Sequence, residues 1–142
     1  MRRTVSACSV VLALALALTA CSSGPKEEVQ LGGISLLEVF DGLAIRTDQM
    51  LKGLSQGGSA ANARSEIQSI NDGYDDLIFH AWKLPPKGQT ELAKRAARQL
   101  PTAERLVYMT EGSPLEATLL TDLEAMRNKV ETLMVTPYKQ PE

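Results

Sequence analysis

The sequence is short of the residues that usually announce chemistry. It has one histidine, His80, and two cysteines, Cys8 and Cys21, both near the start of the chain. Residues 22–142 therefore hold no thiol. That excludes an internal disulfide, a cysteine nucleophile or a Cys-x-x-Cys-His haem attachment within that stretch. Aromatic residues make up only 4% of the chain, which argues against a β-sandwich and suits helices rich in Leu and Ala. There is no glycine-rich phosphate loop and no Glu-x-x-His pair of the di-iron bundles. The formal net charge of −2 gives no reason to propose nucleic acid as a partner.

What the sequence does contain begins at its first residues. Arg2 and Arg3 are followed by an apolar run over residues 5–18, Val, Leu and Ala broken by Ser6, Cys8 and Ser9. A charged head, an apolar body and a small-residue end make the layout of a secretory signal. The run is short for a bilayer span, which needs about 20 residues. It closes on Leu18-Thr19-Ala20-Cys21, which resembles the lipobox of bacterial lipoproteins. The resemblance covers residues 1–21 and is weighed against an uncleaved signal-anchor helix with an incidental cysteine. It implies diacylglycerol on Cys21, cleavage just before it, and acylation of the new amino terminus, with palmitate among the acyl chains. It also implies anchoring in a lipid bilayer. With Ser22 and Ser23 after the cysteine rather than Asp, it implies the outer membrane, facing the periplasm. One acyl chain binds a membrane only reversibly, whereas two or three make release slow.

Loss of residues 1–20 leaves thirteen basic against seventeen acidic residues, a mildly acidic chain long enough for one core. Residues 21–33 are small, polar and glycine-rich and read as a lipidated cysteine and flexible tether. Residues 34–136 carry four helical patterns. The first opens on the capping box Ser35-x-x-Glu38, with Leu37, Phe40, Ala44, Thr47, Leu51 and Leu54 as its stripe and Leu36, Leu43 and Met50 alongside. The second starts near Ser59, and its stripe is Ala63, Ile67, Ile70, Tyr74, Leu77, Ala81 and Leu84, ended by Pro85-Pro86. The third, residues 87–110, has Ala93, Ala96, Leu100, Ala103 and Val107 flanked by Leu92 and Leu106, with Pro101 expected to kink or split it. The fourth opens on Ser113-Pro114-Leu115-Glu116, with Leu119, Leu123, Met126, Val130 and Leu133 as its stripe. Residues 137–142 read as a polar tail. The predicted fold is all-α, an up-down-up-down four-helix bundle in which short turns make successive helices antiparallel neighbours.

Candidate sites are few. Asp72, Asp76 and His80 form an i, i+4, i+8 row that could ligate a divalent cation, but Asp72 and Asp76 face away from the stripe. The plainer reading is a solvated face with His80 paired to Asp76. No haem, metal or other cofactor is expected. The carboxylate pairs Asp75 with Asp76 and Asp122 with Glu124 fall on exposed faces, so no enzyme activity is expected. Phe79 and Trp82 lie off the stripe and form, with Pro85 and Pro86, a candidate aromatic patch. The competing reading has Trp82 closing that end of the bundle. Lys87, Lys94, Arg95, Arg98 and Arg105 form a basic strip in an acidic domain. The resulting expectation is a non-enzymatic, lipid-anchored envelope protein that binds or scaffolds another envelope protein through Phe79, Trp82, Lys94, Arg95 and Arg98. The alternatives are a small-ligand or metal-binding lipoprotein, and a homodimer closed through the small-residue face of the third helix.

Overall fold

The computed structural model describes Gln30, Leu31 and residues 33–142. The signal, Cys21 and most of the tether lie outside the described residues. The fold is almost wholly helical. The four helices are α1 (Leu36–Ser55), α2 (Ala60–His80), α3 (Pro86–Thr110) and α4 (Glu116–Leu133). A 3-10 turn, Ala81–Lys83, follows α2. Ahead of α1, two short strands, β1 (Gln30–Leu31) and β2 (Ile34–Ser35), pair antiparallel, Gln30 opposite Ser35 and Leu31 opposite Ile34. Gly33 supplies the positive φ of 86° for the turn between them. The expected tether therefore ends earlier than residue 33, because Leu31 packs against the core.

The local signals explain most boundaries. The Ser35 and Ser59 hydroxyls accept from the backbone N–H of Glu38 and Asn62, at 3.2 and 3.3 Å, and start α1 and α2. α2 stops at His80 rather than running on to Leu84. Pro85 disfavours helical geometry at Leu84, which is extended at φ −69°, ψ 146°. Pro86 then occupies the first turn of α3, where its missing N–H costs nothing. α4 starts two residues later than its signals suggest. Ser113 accepts from the Leu115 N–H at 3.1 Å and donates to the Thr110 carbonyl at 2.7 Å, while Glu116 reaches back to the Gly112 N–H at 2.6 Å. The polar residues thus close a tight turn before the helix instead of capping it. Pro101 does not split α3, which continues to Thr110. The proline is exposed, and its absent N–H removes a single i to i−4 bond while packing on both sides holds the helix.

The helices pack as two hairpins laid face to face: α1 against α2 and α3 against α4 within hairpins, α1 against α3 and α2 against α4 between them. Arg46 reaches Glu66 and Ser69, and Leu43 approaches Gly73, so α1 and α2 are antiparallel. Arg95 reaches Leu37 and Asp41 while Gln99 reaches Asp48, so α1 and α3 run parallel. The expectation that every successive pair would be neighbours is therefore corrected at α2 and α3. The connector between them crosses from one hairpin to the other, and two prolines plus a 3-10 turn give it that reach.

The core confirms two stripes and rotates two. Every stripe residue named for α2 and α4 is buried. In α1 the deep positions are Leu36, Phe40, Leu43, Thr47, Met50 and Leu54, and Leu37, Ala44 and Leu51 are only half-buried. In α3 they are Leu92, Ala96, Gln99, Ala103, Leu106, Val107 and Thr110, with Ala93 and Leu100 displaced outward. Both helices must face two neighbours across different angles, and the seam follows the residues between those neighbours. Thr47 and Thr110 enter the core because each hydroxyl donates to a carbonyl four residues back, Leu43 at 2.7 Å and Leu106 at 2.8 Å.

Candidate functional site

One end of the molecule gathers most of what is unusual. It is the end where β1 and β2 lead into α1, α2 passes into α3, and α4 releases the tail. Gln89, one turn into α3, is its hub. Its side-chain amide donates to the carbonyls of Trp82 at 3.2 Å and Leu84 at 3.0 Å, and its side-chain oxygen accepts from the Tyr138 N–H at 3.1 Å. Tyr138 in turn donates its hydroxyl to the Leu133 carbonyl at 2.7 Å, with the Gln89 carbonyl at 3.3 Å. Burial raises the Tyr138 phenol well above its ordinary value. The segment expected to be a polar tail is thus clasped to the bundle through Tyr138. Sequence reading missed both residues of the clasp. The available signal was an aromatic residue just after Pro137, in a stretch otherwise polar.

Phe79, His80, Trp82 and Lys83 sit at this end. Phe79 is 56% exposed, as an interface residue would be, and its ring meets His80 edge-on at 5.1 Å. Trp82 is half-buried, and the Lys83 ammonium lies 5.9 Å from its ring centroid. His80 meets Lys83, not Asp76: the lysine Nζ lies 3.2 Å from its Nδ1. Asp72 and Asp76 are both exposed. Among the described residues, no three of His, Cys, Asp and Glu come together as a metal-holding group, and that includes the Asp72, Asp76, His80 row.

The basic strip is placed elsewhere. Lys94, Arg95 and Arg98 begin eight residues beyond Pro86, about 12 Å along α3. Arg95 is spent on the fold, donating to Asp41 at 2.7 Å, to Glu91 at 3.0 Å and to the Leu37 carbonyl at 3.3 Å. Arg98 stands 3.9 Å from Glu91, whose carboxyl is held below its usual range chiefly by the hydrogen bond from Arg95. Lys94 remains exposed. The structure does not join the aromatic pair and the basic side chains into one patch.

Several cavities open at the surface, among them one of about 420 Å³ along α3, lined by Pro86, Lys87, Thr90, Glu91 and Lys94, and two smaller ones. One, of about 270 Å³, lies at the far end between α1 and α2, with Met50, Leu54 and Ala63 as its floor and the Arg46–Glu66 pair, 2.8 Å, on its wall. The second, of about 260 Å³, lies at the clasped end under the tail, lined by Ile78, Leu133, Val135, Pro137 and Tyr138, with Lys139 at its mouth. In the core, the Tyr74 hydroxyl and the Asn71 side-chain oxygen lack hydrogen-bond partners. Burial pushes the Tyr74 phenol up to about 12. The two residues face different neighbours: Asn71 donates to the Asp122 carbonyl on α4, and the Tyr74 ring packs tilted, at 59° and 5.9 Å between centroids, against Phe40 of α1.

No protein-family model, curated protein or solved structure matches the chain. Among the described residues, no helix is long and apolar enough to cross a membrane.

Proposed function

We propose that this is a lipid-anchored, non-enzymatic protein of the cell envelope that binds or scaffolds another envelope protein. The observation that carries the reading is the run from Arg2 to Cys21, ending on Leu18-Thr19-Ala20-Cys21. Cys21 takes the lipid, and the helical domain stands on the periplasmic side of the outer membrane. The four helices form an up-down-up-down bundle closed in the order α1, α2, α4, α3, with α3 bent at Pro101. Exposed Phe79, beside half-buried Trp82, gives the partner an aromatic anchor, the residue type that dominates interface energetics. Lys94 and Arg98 are the basic side chains left for the rim.

Labelled palmitate fed to cells is expected to enter the protein, and Cys21→Ser to abolish the label. Labelling that persists in Cys21→Ser, or that never occurs, overturns the anchor. For the partner, Phe79→Ala is expected to leave the melting temperature within a few degrees and to weaken in-cell crosslinking to one envelope protein. Unchanged crosslinking removes the aromatic anchor.

The cavity between α1 and α2 supports a second reading, a small apolar ligand held on Met50 and Leu54 beside the Arg46–Glu66 pair. A melting shift in the presence of fatty acids or small aromatic acids, lost in Met50→Asp, is its test.

A further inference from the structure

We infer that the clasped end of the bundle rests on the lipid surface itself, so that the domain stands end-on at the membrane rather than swinging freely on its tether. The inference rests on the anchor proposed above and adds an orientation to it.

The first described residue, Gln30, lies at this end, in the hairpin that feeds α1. Cys21 is nine residues earlier, and nine residues reach at most about 30 Å even fully extended. A lipid on Cys21 therefore keeps this end, and not the opposite one, near the bilayer. α3 alone, at 25 residues, carries the far end roughly 37 Å further out.

The composition of the end fits the place. Of the five large apolar side chains left exposed among the described residues, three are here: Ile34 at 49%, Phe79 at 56% and Val135 at 68%. The other two are Ile45, midway along α1, and Tyr108, which carries a hydroxyl. Half-buried Trp82 lies beside Phe79, an amphipathic ring of the kind that settles at headgroup depth. The three segments that make the end, residues 30–35, 79–90 and 134–142, carry Lys83, Lys87 and Lys139 and a single acid, Glu142. All three lysines are exposed, and such stems lie along apolar surface with the ammonium at headgroup phosphates; Lys83 gives up its contact with His80 to do so. The turns at the far end, residues 56–59 and 111–115, carry Glu111 and no basic residue. Scattered apolar tips ringed by lysines match an anionic lipid interface, which rewards both terms together.

Trp82 is the only tryptophan in the sequence, so its emission reports on this end alone. The full-length acylated protein, reconstituted in vesicles of phosphatidylethanolamine and phosphatidylglycerol with brominated acyl chains, should lose at least about half of its tryptophan emission relative to unbrominated vesicles. A double variant, Trp82→Phe with Tyr108→Trp, moves the probe to an exposed site near the far end and should lose little. Lys83→Glu, Lys87→Glu and Lys139→Glu together should relieve most of the quenching at Trp82 without releasing the anchor. Equal quenching at both probe positions, or none at Trp82 while mass spectrometry shows lipid on Cys21, overturns the end-on orientation and leaves the anchor standing. Absence of lipid on Cys21 overturns the anchor and this orientation with it.

Discussion

At the clasped end, a single side chain, Gln89, binds segments that are up to 56 residues apart in sequence, from Trp82 to Tyr138. At the far end each turn closes on itself. The Gly58 N–H donates to the Gly53 carbonyl at 2.9 Å, Gly57 sits at φ 86°, and Glu116 caps the turn it leaves. One end is therefore held by long-range side-chain bonds and the other by local turn chemistry, with a cavity left between α1 and α2. The clasped end can be undone at one residue. The far end has no such residue and is more open from the start.

Truncating one deep core residue near each end gives the largest expected contrast. Leu77 is fully buried near the clasp, while Met50, 8% exposed, lines the far cavity. Leu77→Ala should cost about 3 kcal/mol and Met50→Ala about half of that, because the Met50 site is already open to solvent. Urea midpoints at constant slope would measure both, and equal losses would break the comparison.

Titration of the two raised phenols comes next. A raised tyrosine stabilises the fold below its unfolded value and loses that contribution as pH rises through the folded one. With Tyr74 pushed up to about 12, the protein should lose about 2–3 kcal/mol between pH 10 and 12. Tyr74→Phe should remove most of that alkaline loss while leaving stability at pH 7 unchanged or slightly higher, since it also deletes an unpartnered hydroxyl. Tyr138→Phe should also remove part of the alkaline loss, and only that variant should loosen the clasp.

Gln89→Ala deletes three side-chain bonds and should cost about 2 kcal/mol. Amide exchange should quicken at Leu84 and Tyr138 and stay unchanged at Gly58, and faster exchange at both ends would refute the division. The smallest effect belongs to the far cavity wall. Arg46 holds the Glu66 carboxyl below its ordinary range through their hydrogen bond, and both side chains are well exposed, at 38% and 40%. A depressed carboxylate stabilises above its unfolded value and is lost as pH falls through the folded one. The wild type should exceed Glu66→Gln by about 0.5 kcal/mol near neutrality, and the gap should close below pH 4.

The same division decides what could be read in the sequence. Helix content, the starts of α1 and α2, and the seams of α2 and α4 were all legible, because capping and 3.6-residue periodicity act within a turn or two. The seams of α1 and α3 were misplaced by about one position. Each of those helices has several adjacent apolar columns, and only the second hairpin's position selects between Leu37 and Leu36 or between Leu100 and Gln99. Gln89 and Tyr138 were invisible for a related reason: a glutamine and a tyrosine 49 residues apart carry no local signature. Arg95 was legible as a charge but not as an inter-helix tie, since Asp41 reaches it only once α1 and α3 lie parallel. Of the side chains read as a candidate patch, Arg95 is therefore tied into the fold, while Phe79, Lys94 and Arg98 stay exposed.

Residues 81–85 are the one covalent link between two helical hairpins, and that gives Pro85 and Pro86 a further role. Were the link to straighten into continuous helix, α2 and α3 would become one rod, and each hairpin could find its mate only in another copy of the chain. Two adjacent imino acids forbid that rod, by ring clash and by the missing N–H groups. They thereby close the one route to exchanging halves with a neighbour that a continuous α2–α3 rod would open.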